Sequence, residues 1–145
     1  MTCERSLALA LAVSAAGCLL PEDVTPPALD PEYTSWHRVV LTGDVPGHDD
    51  TYRIVYVDPV ARLGTSNKDA LLVKEIYDKA GDQPGALRSV DIMRKLRAGP
   101  ATEDEGGWLF TQSSVPFGPE THLDLCWARC HAQAPYSGVW RDYTQ

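Results

Sequence analysis

The sequence predicts a mainly β domain with a few short helices, an α+β class built on an antiparallel sheet. Three stretches carry that expectation. Tyr52-Arg53-Ile54-Val55-Tyr56-Val57 is dense in β-branched and aromatic residues and is stopped by Asp58-Pro59. Residues 70–77 form a second apolar run, and residues 88–97 and the stretch opening at Gly106-Gly107-Trp108 read as two more strands. Gly, Pro and Asp clusters separate them, as turns do.

The bulk numbers fit one globular domain. The chain has 145 residues, 43% of them hydrophobic and 23% charged, with a formal charge of −7. That acidity argues against nucleic acid as a partner, because neutralising phosphates needs a basic face. It suits a basic protein partner, and equally a merely solvated surface.

Residues 1–17 read as a signal peptide. Arg5 supplies the positive start, Leu7 to Val13 the apolar run, and Ser14 to Gly17 the small residues before Cys18. The apolar run is too short to span a bilayer. A cysteine directly after such a run resembles a bacterial lipoprotein signal, which implies Cys18 as a lipidated N-terminus and a membrane held by a lipid anchor only. Cleavage without lipid, giving a soluble periplasmic protein, is the alternative. Residues 18–32, with the prolines and acids of Pro21 to Glu32, read as an extended tether, and the folded domain is expected over 33–145.

Within the domain, Tyr33 to Val40 predicts a short helix entering a strand, with Trp36 as a core anchor. Gly43 to Asp50 is expected as a loop and Pro59 to Leu63 as a brief helical turn. In the run from Ala70 to Tyr77, alternation puts Leu72, Lys74 and Ile76 on one face and Leu71, Val73, Glu75 and Tyr77 on the other. Each face is apolar yet carries one charge, which must be paired, at an edge or in a pocket. Lys79 to Gly85 is expected as a turn, Pro116 to Pro119 as a loop, and about Thr121 to His131 as a helix.

The chemistry is concentrated in Cys126-Trp127-Ala128-Arg129-Cys130-His131. Two cysteines followed at once by histidine is the pattern of one covalent haem c. Each thiol adds to a haem vinyl group, and the histidine becomes the proximal iron ligand. Three residues rather than two separate the thiols here; on a helix, i and i+4 still share a face. A Cys126–Cys130 disulfide is an alternative, since the expected compartment is oxidising. Zinc is another, but it wants four ligands and no second Cys or His pair stands at suitable spacing.

The order and spacing of these blocks resemble the cytochrome P-460 family and its relatives, the beta-type cytochromes c-prime. The likeness covers roughly Tyr33 to Tyr143. It rests on Tyr33 with Trp36, on Tyr52 to Pro59, on Ala70-Leu71-Leu72-Val73-Lys74-Glu75, on Gly107-Trp108 and on the terminal motif. The resemblance implies a secreted mono-haem protein whose antiparallel sheet houses the haem, with an iron open on its distal side. In the cytochromes P-460 a lysine is also bonded to a haem meso carbon, and Lys74 matches that position. These enzymes oxidise hydroxylamine and pass electrons to a small acceptor protein. The beta-type cytochromes c-prime take up nitric oxide or carbon monoxide without turnover. A dimer is compatible with either.

The residues bear on these roles in their own right. Lys74 can attack a carbon only as a neutral amine, which desolvation between Leu72 and Ile76 favours; the alternative is a lysine that snorkels or pairs with a carboxylate. His122 is the candidate distal proton relay, with Glu120 and Asp124 beside it, against the reading of a surface histidine. Met93 is either a sixth iron ligand or a packed strand methionine. Tyr52, Tyr56 and Phe110 either line the distal pocket or fill the core. His37 and His48 carry no special signal.

Overall fold

The computed structural model describes residues 26–41, 43, 48, 50–98 and 104–145. The expected signal peptide, Cys18 and most of the tether lie outside those residues. The described chain forms one six-stranded antiparallel sheet in which the strands follow each other in order. They are β1 (His37–Leu41), β2 (Thr51–Val57), β3 (Leu71–Ala80), β4 (Gln83–Lys95), β5 (Trp108–Ser113) and β6 (Thr121–His122). Two five-residue helices accompany them, α1 (Pro59–Leu63) and α2 (Leu125–Arg129).

Local chemistry explains most boundaries. Asp58 ends β2 and caps α1: its carboxylate accepts the Ala61 amide at 2.7 Å and the Leu71 amide at 3.0 Å, while Pro59 takes the first helical position. One side chain thus joins the start of α1 to the start of β3. The stretch after Tyr77 corrects the expected turn at 79–85. β3 runs on to Ala80 and β4 starts at Gln83, so Gly81 and Asp82 alone make the hairpin, with Gly81 at φ 65°. Register shifts near Ile76 and Tyr77 absorb the irregularity.

The two faces of the sheet bury different clusters. On one lie Val55, Val57, Leu72, Trp108 and Phe110, covered by Ala61 of α1 and by Val139 and Tyr143 of the C-terminal segment. On the other lie Ile54, Tyr56, Val73, Val90 and Ile92, covered by Leu29 and Tyr33. Leu29 falls in the stretch expected to be tether, yet it is 7% exposed, so ordered packing begins before Tyr33. Trp36 is half-buried against the same cluster.

The period-two reading of β3 holds. Lys74 and Glu75, adjacent in sequence, stand on opposite faces, and both are paired. Glu75 is 5% exposed and accepts from the hydroxyls of Tyr33 and Tyr77, each at 2.6 Å. Burial first, and then the Glu75 carboxylate, push both hydroxyls well above the ordinary tyrosine range. Tyr33 therefore binds the N-terminal turn to the centre of the sheet through a charge-assisted bond. Replacing Tyr33 with Phe keeps the ring contacts and deletes that bond, and should cost about 1.5–3 kcal/mol in urea unfolding. Unchanged stability would show that the hydroxyl is not the tie.

Candidate functional site

The face carrying Val55, Leu72 and Phe110 does not close completely. Between it and the segment from Leu123 to Tyr143 lies a cavity of about 490 Å3, within the range of small-molecule and cofactor sites. Its walls are largely apolar, with Val55, Leu72, Met93 and Phe110 from the sheet and Leu123 and Val139 from the cover. Cys126, Cys130 and His131 all line it, as do Lys74, Asp91, His48 and Arg53.

The cover is short and tightly turned. β6 pairs Thr111 with His122, and the Leu123 amide then bonds the Phe110 carbonyl at 2.9 Å. The helix expected from Thr121 is thus a strand at its start and helical only over Leu125–Arg129, because pairing with β5 satisfies the first residues instead. Cys126 stands in the first turn of α2. Cys130 ends that helix at φ −136°, its amide bonding the Cys126 carbonyl at 3.2 Å. Both cysteines are half-buried free thiols. Burial above all pushes the Cys126 thiol up, so it is protonated at neutral pH.

His131 follows directly and is oriented by backbone. Its Nδ1–H donates to the Gly138 carbonyl at 2.7 Å, and its ring lies 4.9 Å from that of Phe110. Burial lowers its pKa, so the imidazole is neutral with Nε2 bare, the form that ligates a metal. A backbone carbonyl on the other ring nitrogen is the usual device for fixing a ligand histidine.

That carbonyl is placed by a turn only glycine fits. Tyr136 and Val139 exchange backbone bonds at 3.0 and 3.2 Å, and the Trp108 indole donates to the Ser137 carbonyl at 2.7 Å. Gly138 sits at φ 87°, and a Cβ there would lie 2.8 Å from Trp127 and 2.9 Å from Trp108. The conformation and the crowding both exclude a side chain.

A polar row crosses the cavity floor. Register places Val55, Lys74, Asp91 and Gln112 opposite one another on β2, β3, β4 and β5. Lys74 Nζ lies 3.1 Å from Asp91 and 3.0 Å from His48 Nε2, and the other Asp91 oxygen accepts from Gln112 at 2.8 Å. His48 is half-buried beside two cations, and desolvation, then Lys74, lowers its pKa to about 4. It is neutral at pH 7 and accepts from the lysine.

The remaining candidates are dispersed. His122 is not among the lining residues; its Nε2 faces Glu105 at 3.5 Å. In a helix it would have shared a face with Cys126, but as a strand residue it does not. Glu120 is bound to Arg94 and Thr111 instead, and Asp124, at the start of α2, is exposed. Tyr52 and Tyr56 belong to the opposite face, whereas Phe110 and Met93 do line the cavity. The sequence reading missed His48, Asp91 and Arg53. For Asp91 and Arg53 the available signal was a charge inside a strand; for His48 there was none.

The residues at hand fit a haem c: an apolar cavity, two thiols one helical turn apart, and a neutral histidine with one ring nitrogen already engaged. Among the described residues no group of three or more His, Cys, Asp or Glu is gathered to hold a bare metal ion. The chain matches no protein-family model, and no curated protein matches it.

Two outcomes are expected. In the unfolded chain histidine takes its proton near pH 6.5, whereas His48 resists to about 4. Between those values the unfolded chain binds more protons, so stability falls as pH drops through this window. Urea unfolding from pH 7 to pH 4 should show a smaller loss in His48→Gln than in the unaltered chain; equal losses would refute it. Gly138→Ala should cost about 1–3 kcal/mol by the same measurement, from overpacking against the two tryptophans. A neutral result would mean that the turn yields freely.

Proposed function

We propose that this chain is an envelope-anchored, mono-haem c-type cytochrome of the cytochrome P-460 type, with Cys126 and Cys130 as thioether attachments and His131 as proximal iron ligand. One observation carries the reading: three residues that the haem motif requires line one apolar cavity, and the histidine among them is neutral and aimed by a backbone carbonyl. The lipid anchor at Cys18 and the periplasmic location belong to the same proposal.

When bound, the haem supplies the redox centre and an open coordination position for a small nitrogenous substrate such as hydroxylamine. The chain's own residues do the rest. Val55, Leu72, Phe110 and Val139 exclude water from the cavity. His131 is held in one tautomer by Gly138. Asp91 and His48 place two proton acceptors on the cavity wall, a carboxylate and a neutral imidazole, each within hydrogen-bond distance of the Lys74 nitrogen. The acidic surface suits a basic electron acceptor protein.

A specific contact favours a second reading, a nitric oxide- or carbon monoxide-binding haem protein without turnover. Lys74 Nζ is engaged by both Asp91 and His48, and an amine held in that way is not free to attack a porphyrin carbon. The chain would then resemble the beta-type cytochromes c-prime rather than the cross-linked enzymes.

Expression with a working cytochrome maturation system separates these accounts. Covalent haem should add about six hundred daltons to the intact mass. A Soret band of the reduced protein shifted well to the red identifies the Lys74 cross-link and the enzyme; an ordinary c-type band identifies the gas-binding protein. His131→Ala should keep the added mass and lose the normal ligand spectrum. A colourless chain with both thiols unmodified would end the haem proposal in either form.

A further inference from the structure

Two arginines are buried in this sheet, and their surroundings differ. Arg94, 4% exposed, is clamped by both oxygens of Glu120, at 2.6 and 2.7 Å, and bonds Thr111 at 3.0 Å. Arg53, 3% exposed, lines the cavity and has no carboxylate within ion-pair distance among the described residues. Its one bond among them goes from a terminal nitrogen to the Gly43 carbonyl, and its Nε has no partner there. Arg94 Nε is also unpartnered, but its charge is balanced. Among the described residues nothing balances the charge of Arg53.

No other described residue of the lining is free to balance it. Asp91 divides its two oxygens between Lys74 and Gln112. His48 brings no negative charge, and Arg129 adds another positive one to the lining. Arg53 stands opposite Ile76 and Val55 opposite Lys74, so Arg53 and Lys74 are diagonal neighbours on one face, a separation that long side chains bridge. A buried guanidinium held in an apolar wall without a counter-ion is costly, and its fork geometry matches a planar pair of oxygens.

We propose that Arg53, flanked by Lys74, is the seat of a carboxylate-like anion within this cavity. The guanidinium would donate through N–H groups not used on Gly43, and the anion would supply a charge that no described residue of the cavity offers. That carboxylate has two sources. It is either a carboxylate side chain of a porphyrin bound in the cavity, which rests on the haem reading above, or a free small anion, which does not.

Sodium formate is the probe, titrated by calorimetry at constant ionic strength against sodium chloride. The haem-free arm uses the full chain with Cys126→Ser and Cys130→Ser, and the loaded arm uses the protein from the maturation system. Formate should bind the haem-free chain more tightly than chloride. Arg53→Gln in that background should weaken it at least about tenfold, and Arg53→Lys, which keeps the charge but loses the fork, by several-fold. If Arg53→Gln fails to fold, the lysine variant carries the comparison. Binding to the haem-free chain alone assigns the seat to the porphyrin's own carboxylate; binding in both arms assigns it to a free anion. Either supports the seat. Formate no tighter than chloride, or affinity indifferent to Arg53, overturns it. The haem-free arm reads the seat even if no haem ever attaches, so the two proposals fail separately.

Discussion

Adjacent residues of a strand point to opposite faces, and in β3 that constraint separates Lys74 from Glu75. Both faces are covered, so neither charge reaches open water without help. Glu75 is answered by two tyrosine hydroxyls, one of which carries the N-terminal turn onto the sheet. Lys74 is answered by Asp91 from the next strand and by His48 from the loop before β2. The two solutions divide the domain into a closed side and an open one. Tyrosine rings fill the space around Glu75 and make a core. The ion pair around Lys74 leaves a polar row along the floor of a cavity.

The cover over that cavity depends on backbone as well as on side-chain packing. Helix α2 has no fully buried residue; Cys126 and Trp127 pack partly buried against the core, and backbone bonds fix the rest. Its position comes from the Leu123–Phe110 bond at one end and from the turn at Gly138 at the other. The indole of Trp108 ties that turn to β5 through Ser137, and Lys95, 1% exposed, lies 5.1 Å over the same indole. The orientation of His131 is thus inherited from the sheet through a tryptophan, a glycine and one carbonyl.

The sequence was informative wherever a property is local. The strand at residues 52–57 and its stop at Asp58-Pro59 were legible because β-branched density and a proline are local signals, and Asp58 proves to be the cap that explains the stop. The start of α2 was not legible. Thr121 favours a strand, but two residues are too short a signal, and it was pairing with β5 that made Thr121 and His122 a strand. The extension of β3 and β4 toward Gly81 was hidden for a related reason: a pair of long strands supports residues such as Lys79, Gln83 and Pro84 that would read as turn formers alone.

By itself, the sequence determined the antiparallel class, the faces of β3 and the thiol–histidine motif, because these depend on residue type and on spacing along one segment. Only the tertiary structure decided which charges meet. Asp91 is far along the chain from His48 and Arg53 and none of the three has a motif, yet the pairing of β2, β3 and β4 brings them to one cavity. It also decided that Arg94 has a counter-ion while Arg53 has none among the described residues, since compensation of a buried charge depends on what the neighbouring strands present.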